Sequence, residues 1–190
     1  MSRPVTGREV VIEVALPTDI SKFPTEEEYL ALGALTDKSK DYSPNTVTSS
    51  ADNTLGFVAS IVTQSDMSIS VSGEVHTEGV GSELNEFGVD NLEMFYVERT
   101  QLMKQPALFV RMAVPNNKGG FVVTEGLMVI TALSTAGGTN DIYTFDTEFK
   151  PSDSNLVRVI ETDDTLKPIN TGKTVAQYIA EKVAAKKLQA

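Results

Sequence analysis

Few residues in this chain could do chemistry. His76 is its one imidazole, and there is no cysteine. Thiolate metal sites, disulfides and cysteine nucleophiles are therefore excluded, as are histidine-rich metal sites and most histidine-dependent triads. His76 ends a strand-like run on its polar side with no nucleophile nearby, which reads as a solvated residue. The run Asn117-Lys118-Gly119-Gly120 joins glycine to lysine but lacks the glycine, four residues, Gly-Lys-Ser/Thr order of a phosphate-binding loop. It also falls between two strand-like runs. Glu161, Asp163 and Asp164 could touch Ca²⁺, yet no EF-hand spacing or central glycine accompanies them, so they read as a solvated charge run. Asp146 and Glu148 could form a glycosidase dyad. Carboxylates two apart are common on a polar strand face, and no aromatic platform lies beside them. The sequence predicts no enzyme, no cofactor and no metal site.

The elements that must carry these residues are mostly strands. Asp66 to His76 alternates cleanly. Met67, Ile69, Val71, Gly73 and Val75 fall on one side; Asp66, Ser68, Ser70, Ser72, Glu74 and His76 fall on the other. One dry and one wet face belong to an antiparallel sheet solvated on one side. Arg8 to Leu16 also reads as a strand, with Val10, Ile12, Val14 and Leu16 on one face and Pro17 as its stop. Thr25 to Thr36 reads as a short acidic turn followed by a strand from about Tyr29. Asp37 to Leu55 is rich in Ser, Thr, Asn and Asp, has little to bury, and reads as a long projecting loop. Asp90 to Gln105 reads as a helix with Asp90 and Glu93 as a capping pair and Pro106 as its stop. Its stripe Leu92, Phe95, Tyr96, Leu102 and Met103 is expected to pack against a sheet.

Further strands are expected over Ala107–Val114, from Phe121 to Leu133, over Asp141–Lys150, and briefly at Leu156–Ile160, with turns at Asn116–Gly120 and Ser134–Asn140. Asp163–Gly172 reads as a linker. Thr174–Leu188 reads as an amphipathic helix with the stripe Val175, Ile179 and Val183, too short to stand alone. The fold class expected is mainly β: an antiparallel sandwich or barrel-like subunit with one flanking helix and a C-terminal helix. The division expected is one β domain over residues 1–170, with its loop at about 37–55, and a helical arm over 171–190.

Composition agrees with a globular chain: 190 residues, 41% apolar and 22% charged. At this length about 70% of the unfolded surface can be buried, so no covalent staple is needed. The formal net charge is −10, from 26 acids against 16 bases. That sign argues against a general nucleic-acid binder, which needs Lys and Arg for phosphate. The acids are also clustered. Asp41, Asp52, Asp66, Glu74, Glu78, Glu83, Glu86, Asp90, Glu93 and Glu98 follow one another with no Lys or Arg between them. Such a block is a solvated face, or a surface that repels a polyanion or meets a basic neighbour. No apolar run of signal-peptide length precedes the first strand, and the most apolar stretch, Gly126–Leu133, is too short for a bilayer. Synthesis in a reducing cytoplasm is expected.

Four stretches in order resemble the major tail tube protein of long, non-contractile-tailed bacteriophages. They are EEYLALGALTDKSKDYSPNTVTSSAD (Glu27–Asp52), GFVASIVTQSDMSISVSGEV (Gly56–Val75), LMKQPALFVRM (Leu102–Met112) and ITALSTAGGTNDIYTFDTEFKPSD (Ile130–Asp153). The likeness covers most of Tyr29–Asp153. It implies a β-sandwich-like subunit that closes into hexameric rings, whose inner strands join into one barrel and whose rings stack into a tube conducting the genome. The partners implied are further copies of the chain and other tail proteins (tape measure, terminator, tail tip). Genomic DNA would pass without specific binding, no membrane is involved, and the place of work is the virion tail. The lumen candidates are Asp66, Ser68, Ser70, Ser72 and Glu74, with Asp146 and Glu148 second; an outer surface is the alternative for both faces. Asp41, Tyr42, Asn45, Thr46 and Asp52 in the polar loop are candidates for contact with an adjacent ring. Three other readings stay open. One is another tail component, such as a terminator or a contractile or secretion-type tube protein. Another is a carbohydrate- or receptor-binding sandwich, disfavoured because Tyr42 is the loop's one aromatic. The last is a hydrolase on a β scaffold.

Overall fold

A computed structural model describes residues 6–17, 19–49, 59–75, 86–139, 141–152 and 156–162. His76, Asp52, Asp163, Asp164 and the expected C-terminal helix lie outside the described residues. The strands are β1 (Val11–Ala15), β2 (Leu30–Leu32), β3 (Leu35–Ser49), β4 (Ala59–Glu74), β5 (Glu86–Phe87), β6 (Ala107–Pro115), β7 (Phe121–Ala136), β8 (Thr144–Pro151) and β9 (Val157–Thr162). One helix, α1 (Val89–Gln101), stands between β5 and β6. The mainly β class expected from the sequence is thus observed.

Among the described residues, the nine strands belong to one hydrogen-bonded sheet, in the order β3-β4-β8-β7-β6-β1-β2-β5, with β9 added to β7. β7 makes this sheet fold over. Its first half pairs with β6 and β9, and its second half pairs with β8. A bulge at Thr131, between Ile130 and Ala132, marks the change. The inner faces meet in one core. It joins Ile12 and Val14 of β1, Leu108, Val110 and Met112 of β6, Met67, Ile69 and Val71 of β4, and Phe145 and Phe149 of β8. Period-two alternation places all of these on the same side of their strands. Gly73 completes the fit. A β-carbon there would stand 2.5 Å from the Phe145 ring and 2.6 Å from the Ala34 carbonyl oxygen.

The helix differs from expectation at both ends. Gly88 is its N-cap, so Asp90 lies inside the first turn and no Asp90/Glu93 cap forms. The C-terminal end comes at Gln101, because Met103 takes a left-handed φ of 52°. Leu92 and Phe95 enter the core and Tyr96 packs beside it. Leu102 and Met103 fall beyond the last turn and are exposed rather than completing the stripe.

The segment expected as a loop from Asp37 is a strand. Residues 37–49 form most of β3, paired with β4 from Leu35↔Gly73 out to Ser49↔Ala59. The pairing partner supplies what the polar composition hides, an antiparallel ladder interrupted by irregularities between Leu35 and Asp37 and between Asn45 and Thr46. Beyond Ile69, among the described residues, β4 has β3 as its sole partner, so the outer part of this hairpin is a two-stranded ribbon.

The second face of β1, β6, β7 and β9 carries a polar cluster buried at Arg111 and Glu125. Glu13, Arg111, Glu125 and Arg158 stand directly opposite one another on four neighbouring strands, an alternating row of charge. Arg111 Nε pairs with Glu13, and Arg111 Nη1 donates to Glu26 Oε2 at 2.6 Å. Arg158 Nε donates to Glu125 at 2.5 Å. The Arg111 guanidinium lies 4.0 Å from the Tyr29 ring centroid, and Arg158 lies 3.9 Å from that of Phe23. Tyr29 Oη donates to Glu125 Oε2 at 3.3 Å. Phe23, Tyr29, Phe109 and Leu127 form the apolar lid of this cluster. Among the described residues, no buried side-chain nitrogen or oxygen lacks a hydrogen-bond partner.

Burial, reinforced by Glu125, pushes the Tyr29 hydroxyl far above its ordinary value near 10. The folded state therefore holds this proton more tightly than the unfolded chain. The associated stability is complete below about pH 10 and is lost as pH rises above the unfolded value. We expect the urea midpoint to fall more steeply above about pH 10 in the native protein than in Tyr29→Phe. Parallel curves for the two would contradict the coupling.

Candidate functional site

The face of interest belongs to the four-stranded part of the sheet, β3-β4-β8 and the second half of β7. Directly opposed residues share a face, so register assembles it row by row. One row is Asp37, Ser72, Asp146 and Ser134 across the four strands. The next is Ser39, Ser70, Glu148 and Ala132. Asp41 stands opposite Ser68, Ser43 opposite Asp66, and Glu74 opposite Thr144. All seven residues taken from the sequence as lumen candidates, Asp66, Ser68, Ser70, Ser72, Glu74, Asp146 and Glu148, therefore lie on one continuous face. The two sets, separated by about 70 residues of chain, are neighbours.

Strand pleat sorts the charge on β3. Asp37, Ser39, Asp41 and Ser43 join the outer face, while Lys38 and Lys40 turn the other way. Lys38 Nζ donates to the carbonyl oxygens of Val10 at 2.7 Å and Gly7 at 3.3 Å. Its partial burial lowers its pKa. Lys40 Nζ donates to Thr124 Oγ1 at 2.8 Å. The outer face of these strands thus carries Asp37, Asp41, Asp66, Glu74, Asp146 and Glu148 against one base, Lys150. Lys150 is itself 3.4 Å from Glu148.

Neighbouring hydroxyls hold two of these acids against the sheet. Ser72 Oγ donates to Asp146 Oδ1 at 2.5 Å, and Thr131 Oγ1 donates to Glu148 Oε2 at 2.8 Å. Asp146 and Glu148 are thereby separate, hydroxyl-bound groups on an open strand face, not a facing pair.

Sequence reasoning missed Asp37, Ser39 and Ser43 as members of this face, because their segment read as a loop. The alternation Asp37-Lys38-Ser39-Lys40-Asp41 was the available signal. Of the residues proposed for contact with another ring, Asp41, Tyr42, Asn45 and Thr46 are exposed on the ribbon, and Asp52 lies outside the described residues. The two faces of the ribbon divide them: Asp41 and Asn45 continue the acidic face, while Tyr42 and Thr46 continue the core face.

The other sites considered have plain roles. Asn116–Gly120 is the tight turn between β6 and β7. The Asn116 side chain accepts from the Lys118 N–H at 2.8 Å and the Gly120 N–H at 3.1 Å, and Gly119 takes φ 87°. The Lys118 and Gly120 N–H groups are thus spent within the turn. Glu161 pairs with Lys118 at 2.9 Å. Among the described residues, no group of three or more acids or histidines could hold a metal ion. No helix among them is long and apolar enough to cross a membrane.

No protein-family model and no curated protein matches the sequence. Solved structures do match the fold. A chain of the SPP1 tail tube superposes with a TM-score of 0.57 at 11% identity, covering 90% of this chain and 88% of that one. A chain of the anti-feeding prophage baseplate, a six-fold symmetrised structure, gives 0.55 at 9% identity and covers 86% and 99%. A chain of the native gene transfer agent virion gives 0.49 at 13% identity, over 83% and 98%. The protein has the fold of the SPP1 tube and anti-feeding prophage baseplate chains.

Proposed function

We propose that this chain is a structural virion protein of the tail-tube kind, closing head to tail into hexameric rings that stack into a tube with an acidic, non-adhesive lumen. The observation that carries the reading is the sorting of charge by pleat: acids and hydroxyls on the open face, Lys38 and Lys40 turned off it. The six-fold number follows the baseplate chain that shares its fold.

The sheet supports ring closure physically. β3 forms one edge, and among the described residues β7 beyond Ile130 has no strand on the side away from β8. Four antiparallel strands run alternately, so the β3 and β7 edges run in opposite directions. A neighbour placed head to tail joins β3 to β7 as one more antiparallel pair, and closure removes both edges. The open faces then line a common bore. Duplex DNA carries about one negative charge per 1.7 Å of axis. A wall of carboxylates and hydroxyls, whose one base, Lys150, lies 3.4 Å from Glu148, offers it no net counter-charge within the Debye length of about 8 Å. The genome slides rather than sticks. The partners are further copies of the chain, the tape measure, and the terminator and tip proteins; the chain acts in the virion tail as a structural rather than a catalytic part.

The likeness to a baseplate chain favours one second reading, a ring that does not extend. Negative-stain microscopy of the purified protein over a concentration series separates the two. A tube protein forms hollow tubes of variable length, whereas a baseplate ring stops at single annuli. Material that stays monomeric at high concentration overturns both.

A further inference from the structure

The edge that β3 offers a neighbour is short and bounded at both ends. In an antiparallel strand, one residue turns its N–H and C=O to one side and the next residue to the other. The Glu74 N–H donates to the Ala34 carbonyl oxygen at 3.0 Å, toward β3. The Val75 N–H donates to that of Tyr143 at 2.8 Å, toward β8. Even-numbered residues of β4 therefore face β3. Ser72, Ser70 and Ser68 stand opposite Asp37, Ser39 and Asp41, which spend their backbone groups on β4. Lys38, Lys40, Tyr42 and Pro44 turn theirs to the far side. The register is continuous from Asp37 to Asn45, so this alternation holds throughout.

Two of these four make poor partners. The Lys38 N–H already donates to Asp37 Oδ1 at 2.8 Å. Pro44 has no N–H, and its ring fills the space where a donor would point. Between them, Lys40 and Tyr42 each present a complete N–H and C=O pair.

The β7 edge has the same length. Thr147 Oγ1 donates to the Ala132 carbonyl oxygen at 2.9 Å, and Thr144 Oγ1 to that of Ala136 at 3.2 Å. Ala132, Ser134 and Ala136, opposite Glu148, Asp146 and Thr144, thus turn their backbone to β8. Leu133 and Thr135 turn theirs away from it. The bulge at Thr131 bounds this edge at one end, and the strand ends at Ala136.

We propose that Asp37 and Pro44 are stops that fix the register between copies, so that Lys40 pairs with Thr135 and Tyr42 with Leu133 of the next subunit. The inference rests on the tube reading and adds the register of its joint. A slip of two residues one way calls on the Lys38 N–H, which Asp37 holds. A slip the other way calls on an N–H that Pro44 does not have. A slip of one residue sets the open face of one copy against the core face of the next. In the proposed register Asp41 stands opposite Ser134 and Ser39 opposite Ala136, all on the open face. The small partners leave room for the acid, and Tyr42 lies beside Leu133 on the core side.

The stagger of the strands agrees. Within one subunit Asp37 shares a row with Ser134, whereas across the joint Asp41 does. Each joint therefore offsets a four-stranded wall by four residues, one per strand. An eight-stranded barrel of shear eight has that same ratio, and its strands tilt by about 36°.

Disulfide trapping in assembled tubes tests this, because the chain has no cysteine of its own. Asp41 and Ser134 of two copies would form a non-hydrogen-bonded pair with Cα atoms about 4.5 Å apart, within disulfide range. Inside one subunit the same two residues are three strand spacings apart, roughly 14 Å, and out of reach. Asp41→Cys with Ser134→Cys is expected to crosslink copies on mild oxidation. Asp41→Cys with Ala132→Cys, or with Ala136→Cys, reports a slip of two residues and is expected to stay uncrosslinked. Adding Pro44→Thr should raise the crosslink at Ala136→Cys, and adding Asp37→Ala that at Ala132→Cys. Each rise is expected to be about fivefold, the shift that one backbone hydrogen bond carries. Pro44→Ser repeats the first lesion should Pro44→Thr melt early. Tubes that trap a slipped pair instead, or lesions that leave the pattern unchanged, overturn the stops while leaving the tube reading intact. Tubes in which none of the three pairs crosslinks overturn the β3–β7 joint with them. A native chain that forms no rings overturns the tube reading itself.

Discussion

Tubes built from a chain carrying Asp66→Lys and Asp146→Lys are expected to form normally and then hold linear DNA. Both carboxylates lie on the open face, Asp66 opposite Ser43 and Asp146 opposite Ser72, so neither substitution disturbs the core. Each changes the local charge by two units, or about 24 units for both in a ring of six. A lumen whose one base, Lys150, is held beside Glu148 then has a ladder of counter-charge for phosphate. For six or more phosphate contacts, retention should fall by about 10³-fold between 50 and 200 mM salt, the mark of counter-ion release. Fluorescence anisotropy of labelled duplexes on purified tubes reads the effect. Closed circular DNA of the same length provides the topological control, since it cannot thread a bore. Native tubes should retain neither form and the variant should retain the linear one alone. Circles that bind the variant as well as linear duplex would place these lysines on the outside.

Arg111→Met is expected to cost about 3–5 kcal/mol of stability, the range for removing one partner of a buried charge cluster. Arg111 is 3% exposed and holds two carboxylates, Glu13 and Glu26. Burial works against its charge, but the hydrogen bonds to Glu13 and Glu26 outweigh that and keep the guanidinium more firmly protonated than usual. Removing it strands Glu13, breaks the tie from β6 to the Glu26 turn, and takes the cation from beneath the Tyr29 ring. The alternating row then loses its second member, and Glu13 is left without counter-charge beside the apolar lid. In a chain of this size the loss corresponds to a melting temperature lower by about 6–20 °C. Glu13→Leu combined with Arg111→Met should recover much of it, because an apolar pair of similar volume removes the stranded charge. Urea titration of the three proteins measures both effects. A loss below about 1 kcal/mol in the single variant would mean that solvent reaches and satisfies the cluster.

The sequence made some of this legible and hid the rest, for physical reasons. Asp66–Glu74 announces its two faces because one is uniformly apolar and the other uniformly small or acidic. The same alternation on β8 is marked by Phe145 and Phe149. β3 gives no such contrast: its outer part is exposed on both faces, and Ser, Asn and Pro44 mimic a loop. Its strand character comes from the ladder with β4, a property of two segments rather than one. The neighbourhood of Ser72 with Asp146 could not be read either, since register is set by pairing across 74 positions. The charged row is still less visible. Glu13 and Arg111 are 98 positions apart, and their opposition depends on the register of β1 with β6. On β1, Glu13 reads as an ordinary wet-face acid; the turn carrying Glu26 and Tyr29 is what covers it. The helix end was misread because nothing in Leu102-Met103 signals a left-handed residue, a conformation that usually belongs to glycine.

A helical reconstruction of tubes assembled from the purified native chain tests the central claim most directly, because it shows which face lines the bore. The account predicts a wall of β3, β4, β8 and the end of β7, with Asp37, Asp66, Asp146 and Glu148 turned toward the axis and β3 of each subunit hydrogen-bonded to β7 of the next. A bore lined instead by β9, β6 or α1, with those carboxylates on the outer surface, would contradict it.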